Sequence, residues 1–197
     1  MDGIEEGKRA KLTPAAERVL RAASEMFYRE GIRAVGVEAI AAEAGVTKKT
    51  LYERFGSKDG LIAAYLRARD ERWRAWMEES VEGSDGSPKE RLLSTFDALE
   101  GWIEIENPRG CGFVNAAAEN PDPGHPARMI AIEQKKWLRE YFAGLAAEAG
   151  AEDPEDLAER LVILHEGATV AHSLEAATDT ARKAKQIAEA LVADLPA

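Results

Sequence analysis

Val37-Glu-Ala-Ile-Ala-Ala-Glu-Ala-Gly-Val-Thr-Lys-Lys-Thr-Leu-Tyr-Glu-Arg-Phe55 holds two short helical patterns joined by a tight turn. Ala41 is small enough for a second helix to approach the first. Gly45 stands where such a turn can demand a positive φ. Ile40, Val46 and Leu51 supply the apolar contacts that fix the crossing, and Thr47 is a natural N-cap for the second helix. Two helices crossing closely over a short glycine turn form a helix-turn-helix, whose second helix enters a DNA major groove N-terminal end first.

The side chains at that end suit such a groove. Lys48 and Lys49 offer cations, and Thr47 and Thr50 offer hydroxyls. Tyr52 carries a polar tip that can reach a phosphate. Lys58 opens the following helix and can reach another phosphate, helped by that helix's free N–H groups. The alternative for Lys48, Lys49 and Tyr52 is an ordinary solvated helix face.

Outward from this segment the chain keeps reading as helix, with no alternating, β-branched stretch to suggest a strand. Thr13-Pro14 puts an N-cap before a first-turn proline, and Ala16, Leu20, Ala23 and Phe27 follow at helical spacing. Ser57 caps a long helix carrying Ile62, Tyr65, Leu66, Trp73 and Trp76. Gly83 to Ser87 breaks the chain, and Ser87-Pro88-Lys89-Glu90 restarts it as a capping box. Leu92, Phe96, Leu99 and Ile103 give the next stripe. Asn107 to Pro126 carries four prolines and three glycines around a short apolar piece, Phe113 to Ala118. Three more helices are expected. The first runs to Gly150 with Ile130, Trp137, Tyr141 and Leu145 on one side. The second starts at Asp153-Pro154 and carries Leu157, Leu161, Leu164 and Ala168. The third starts at Asp179 and carries Ile187, Leu191 and Leu195. The expected fold is all-α, of about nine helices, with a three-helix head over residues 1–60 and a larger body over residues 61–197.

The 197-residue chain carries a net charge of −10, at first sight a poor match for DNA. The charge is unevenly spread. Residues 1–60 hold 11 Lys and Arg against 10 Asp and Glu, whereas the rest hold 15 against 26. A locally basic tip on an acidic body can still bind phosphates, because the attraction acts within about 8 Å. No apolar run approaches the roughly 20 residues of a membrane span. Met1 to Thr13 lacks the apolar stretch of a signal peptide, so a cytoplasmic protein is expected. The single Cys111 excludes an internal disulfide framework and a Cys-based zinc site.

The sequence from Gly31-Ile32-Arg33 through Val37, then Ile40 to Val46, Thr50-Leu51-Tyr52, Phe55 and Ser57-Lys58-Asp59, resembles the N-terminal signature of the tetracycline-repressor (TetR) family. The resemblance covers about the first 65 residues. It implies recognition-helix contacts from Lys48, Lys49 and Thr50, and phosphate contacts from Thr47, Tyr52 and Lys58. Many members place Ser or Thr where this chain has Gly36 and Val37, so one hydroxyl contact to a phosphate is missing. The resemblance further implies a helical ligand-binding body and a homodimer formed largely through the last two long helices. A small-molecule effector would weaken the grip on a palindromic operator in double-stranded DNA.

Trp102, Phe113, Trp137, Tyr141 and His165 are candidate pocket residues, with ordinary core packing as the alternative for each. His165 and His172 stand seven residues apart, about 10.5 Å along one helix, too far to share a metal. No metal or cofactor is expected. Cys111 in its glycine-rich turn reads either as a redox sensor or as a small buried thiol. Gly167, Ala168 and Ala171 allow close helix approach, at a subunit interface or within the body. Two other functions stay open: a regulator controlled by a protein partner, and an enzyme carrying a DNA-binding head. No acid/base pair, nucleophile–base set or phosphate loop supports the enzyme.

Overall fold

The computed structural model describes residues 12–106 and 109–196. Asn107, Pro108 and the opening residues 1–11 lie outside the described part. Among the described residues the chain is helical, with nine helices and no strand. They are α1 (Pro14–Glu30), α2 (Val37–Glu43), α3 (Lys48–Phe55), α4 (Lys58–Glu82), α5 (Pro88–Glu106), α6 (Gly112–Glu119), α7 (Pro126–Glu148), α8 (Pro154–Ser173) and α9 (Thr180–Leu191). None is long and apolar enough to cross a membrane.

The expected caps are in place. Thr13, Thr47, Ser57 and Asp153 each accept a backbone N–H from the first turn they precede. At α5 the Ser87 N–H donates to Glu90 Oε2 at 2.7 Å and the Glu90 N–H donates back to Ser87 Oγ at 3.4 Å, the reciprocal pattern of a capping box. The turn-rich stretch before Pro126 holds a helix of its own: Phe113 to Ala118 lies within α6.

Two apolar clusters share α4. Near its start, Leu61, Ile62, Tyr65 and Leu66 pack with Phe27, Ile40 and Leu51 of the first three helices and with Phe113 and Ile130 of α6 and α7. Farther along, Trp73, Met77 and Val81 pack with Phe96, Phe142 and Leu161 of the body. One continuous helix thus belongs to both cores. Burying a side chain the size of leucine stabilises by about 1.5–3 kcal/mol. Each cluster holds many of them.

The last helix differs from the expectation. Its buried face is Ala181, Ala184 and Ala188, followed by the buried C-cap Val192, while Ile187 and Leu191 are exposed. Alanines let α9 lie close against α5 and α8, and its larger aliphatic residues face outward. On α8, Ile163 and Val170 are exposed as well, with Gly167 between them, and so is Leu174 just past its end.

Candidate functional site

The first three helices present α3 on an outer face. Its support begins at the α2–α3 turn. The Val46 N–H donates to the Ala41 carbonyl at 2.9 Å and the Gly45 N–H to the Ala42 carbonyl at 3.1 Å. This Schellman arrangement needs the left-handed backbone that Gly45 supplies, with φ of 63°. Arg18 of α1 donates through Nε to the Ala44 carbonyl at 3.1 Å, tying the turn to the first helix. Ile40 and Leu51, both fully buried, lock α2 against α3.

The six residues expected to touch DNA lie together on and beside α3. The Thr47 hydroxyl accepts the Thr50 N–H at 3.1 Å and lies 3.0 Å from the Thr50 hydroxyl, so the two hydroxyls hold each other at the helix N-terminus. Lys48 Nζ donates to Glu38 Oε1 at 2.5 Å across the turn. That hydrogen bond lowers the Glu38 carboxyl below its ordinary range and raises the Lys48 ammonium above its own. Lys49 is largely exposed, with Glu53 at 3.8 Å. Tyr52 is 40% exposed. Lys58, in the first turn of α4, lies with its Nζ 6.0 Å from the centroid of the Phe27 ring. Gly36 precedes α2 with no side-chain cap, in keeping with the missing hydroxyl.

A second site lies in the body. A small cavity of about 30 Å³, room for two or three water molecules, lies between α4, α5, the start of α6, α7 and α8. Trp102, Phe113 and His165 wall it, joined by Trp73. Trp73 meets Trp102 edge-on at 5.2 Å between ring centroids and lies 5.7 Å from the His165 ring. Trp137 and Tyr141 do not reach this space. They stack on each other at 5.1 Å and 13°, with the Arg74 guanidinium 4.7 Å over Trp137. The cavity side of α7 is instead Gln134 and Lys135.

The charges near the cavity are matched. Lys135 Nζ donates to Glu166 Oε1 at 2.7 Å and to Cys111 Sγ at 3.3 Å. Burial alone would raise the Glu166 carboxyl, but His165 and Lys135 beside it bring it down to about 2. Burial pushes the His165 imidazole below its ordinary value, against the neighbouring Glu166 carboxylate, which acts to raise it. Arg69, itself buried, donates to the Glu106 carbonyl at 2.8 Å and lies over the Tyr28 ring at 4.5 Å. Among the described residues no group of three His, Cys, Asp or Glu side chains is placed to hold a metal ion.

Helix α6 joins the two sites. Its first residues, Gly112 and Phe113, belong to the cavity wall. Its last, Glu119, accepts the Arg33 N–H at 2.8 Å in the loop between α1 and α2. Just before α6, the Tyr28 hydroxyl of α1 donates to the Gly110 carbonyl at 3.0 Å and accepts the Arg109 N–H at 2.9 Å. At the start of α7, His125 Nε2 lies 3.4 Å from Asp59 Oδ1, next to Lys58. Spacing pointed to neither Arg69, Trp73 nor Gln134 as cavity residues, because they sit on stripes that read equally as core.

The family model described as bacterial regulatory proteins, tetR family, matches residues 19–65. A crystal structure of a TetR-family transcriptional regulator from Streptomyces coelicolor is 33% identical. It matches over 93% of this chain and 90% of its own, with a TM-score of 0.85. The HTH-type transcriptional regulator YjdC of Escherichia coli is 24% identical over 77% of this chain and 79% of its own. The HTH-type transcriptional activator FasR of Mycolicibacterium smegmatis is 31% identical over 51% of this chain and 47% of its own.

Proposed function

Because this chain belongs to the TetR family of helix-turn-helix transcriptional regulators, we propose that it is a homodimeric repressor whose two heads hold a palindromic operator until a small molecule in the body cavity releases them. The observation that carries this reading is α6, an eight-residue helix with one end in the cavity wall and the other hydrogen-bonded to the head. A ligand that displaces Phe113 moves Glu119 and, through it, the α1–α2 loop on which the helix-turn-helix rests. Residues 1–60 act as the DNA-binding unit and residues 61–197 as the regulatory unit, with α4 running through both.

Dimerisation uses α8 and α9. Ile163, Gly167 and Val170 fall on one stripe of α8, continued by its C-cap Leu174, and Ile187 and Leu191 fall on one stripe of α9. Exposed aliphatic residues in register on two neighbouring helices are what an isologous subunit interface covers. The similarity to an activator favours activation as a second reading. A reporter driven by the protein's own upstream DNA separates the two by the sign of the change.

The DNA contacts are tested by gel shift on that upstream DNA over a range of salt. Tyr52→Ala and Lys48→Ala are each expected to weaken binding about tenfold; loss of the Lys48 cation should lower the salt slope by up to about one unit, whereas loss of the neutral Tyr52 hydroxyl should leave the slope unchanged. Wild-type affinity in both variants overturns the assignment.

Glu38 gives the opposite result. It competes with DNA for Lys48 and places a carboxylate beside the phosphates. Glu38→Gln is expected to tighten operator binding about threefold to tenfold and to steepen the salt dependence. Unchanged or weaker binding in the same gel shift removes Lys48 from the interface.

A further inference from the structure

Cys111 stands where two spaces meet. Its side chain is partly exposed and belongs to an open groove beside α6. It also lines the small cavity between α4, α7 and α8. Lys135 Nζ donates to its Sγ at 3.3 Å. Burial works against the Lys135 ammonium, but Cys111 and Glu166 beside it hold it above its ordinary value, so it stays a cation. Cys111 is also the N-cap of α6, and its sulfur makes no capping hydrogen bond there. A helix N-terminus and a lysine in contact with the sulfur are the surroundings in which reactive cysteines are found, because the thiolate is the form that attacks.

The cavity supplies the other half of a site. Trp73 Nε1 and Gln134 Oε1 have no hydrogen-bond partner among the described residues, although these side chains are only 4% and 2% exposed. Buried polar groups in folded proteins are nearly always paired. Both residues wall the space that Cys111 lines. An indole N–H only donates and an amide oxygen only accepts, so whatever joins the two must accept from one and donate to the other. The space is about 30 Å³, room for two or three water-sized atoms. An alkyl or aryl group does not fit. Hydrogen peroxide does: it is two oxygens, each able to donate and to accept, and it carries no charge.

We propose that Cys111 is a modification site for hydrogen peroxide, which the cavity holds between Gln134 and Trp73 while the Cys111 thiolate attacks it. The sulfur bonds to the nearer peroxide oxygen and the O–O bond breaks. The sulfur loses two electrons and the peroxide gains them. The departing hydroxide takes a proton from the Lys135 ammonium and leaves as water, and Lys135 recovers a proton from solvent. The product is a cysteine sulfenic acid, which added thiol returns to cysteine. The chain has one cysteine, so no second thiol of the same chain closes it to a disulfide. The added oxygen stands at the N-cap of α6. Its effect on DNA binding rests on the reading of α6 as the link to the head; the oxidation itself does not.

The test treats the full, reduced chain with hydrogen peroxide at pH 7 and follows loss of the free thiol and capture of the sulfenic acid by dimedone. One dimedone per chain is expected, with Cys111 reacting about tenfold faster than N-acetylcysteine in the same buffer. Cumene hydroperoxide, whose aryl group the cavity excludes, is the comparison. The preference for hydrogen peroxide over it is expected to be about tenfold greater for Cys111 than for N-acetylcysteine, as a lost buried hydrogen bond and a blocked approach demand. Gln134→Leu leaves Lys135 in place and should bring that preference down to within about twofold of the free thiol's. A thiol no faster than N-acetylcysteine, a preference equal to the free thiol's, or one that survives Gln134→Leu overturns the proposal. A parallel gel shift separates it from the release reading. Sulfenic acid formation with unchanged operator binding keeps the site and sinks its coupling to the head. Operator release by another small molecule, with an unreactive Cys111, does the reverse.

Discussion

Gly60→Ala is expected to cost about 3 kcal/mol of stability and to weaken operator binding by more than tenfold. Gly60 lies in the first turn of α4, where its N–H donates to Ser57 Oγ at 3.0 Å. A Cβ there would sit 2.1 Å from the Phe55 carbonyl oxygen and 3.3 Å from its carbon. Phe55 is the last residue of α3. The obstacle is backbone, not the yielding end of a side chain, so relief requires tilting α3 away from α4. Leu51 and Leu61, both fully buried, lose their packing in that tilt, and Lys48 to Tyr52 lose their aim. Thermal denaturation followed by circular dichroism, with the same gel shift, checks both effects. A variant with wild-type melting and wild-type DNA affinity would show that the α3–α4 junction does not set the recognition helix.

The second large effect concerns Lys135. Lys135→Met is expected to destabilise the fold by about 2 kcal/mol at pH 7, because it leaves the Glu166 carboxylate partly buried without its cation. The pH dependence carries the sign. The Glu166 carboxyl is brought down to about 2 in the folded protein from its ordinary 4.5. In the unfolded chain it binds a proton first as pH falls, so its contribution is present above about pH 4.5 and is lost towards pH 2. Without Lys135 the folded carboxyl protonates at higher pH, and the variant has less to lose. The stability gap between wild type and variant is therefore widest above about pH 5 and narrows as the pH falls towards 3. Urea denaturation at a series of pH values measures it. A gap that stays constant with pH separates Lys135 from Glu166.

The head was largely legible because its signals are local. Thr47, Ser57 and Gly45 act within a few residues of themselves, and the chemistry of caps and left-handed turns dictates their positions. The same holds for Thr13-Pro14, the Ser87 to Glu90 capping box and Asp153-Pro154. What escaped depends on which helix meets which. Spacing puts Trp137 and Tyr141 on one side of α7, but not which neighbour that side faces; Gln134 and Lys135 reach the cavity. In α9 the large residues Ile187 and Leu191 suggest an inward stripe, yet the chain packs its alanines inward because close approach to α5 and α8 leaves no room for more. Lys48 and Glu38 are ten positions apart across a turn, outside any helical pairing rule. Gly60 gives no local sign that a carbonyl from the preceding helix stands above it.

The continuity of α4 turns it into a lever. From Trp73 at the cavity to Lys58 at the head end is fifteen residues along one unbroken helix, about 22 Å at 1.5 Å per residue. A tilt of about 5° pivoting near Trp73 moves Lys58 by about 2 Å, and two heads related by a two-fold axis change their spacing by up to about 4 Å. Half-sites one helical turn apart are set about 34 Å from centre to centre and give no such latitude. On the proposed reading, a small push on the wall at Trp73 would act on DNA across the length of a helix, the magnification coming from the distance between that wall and the groove.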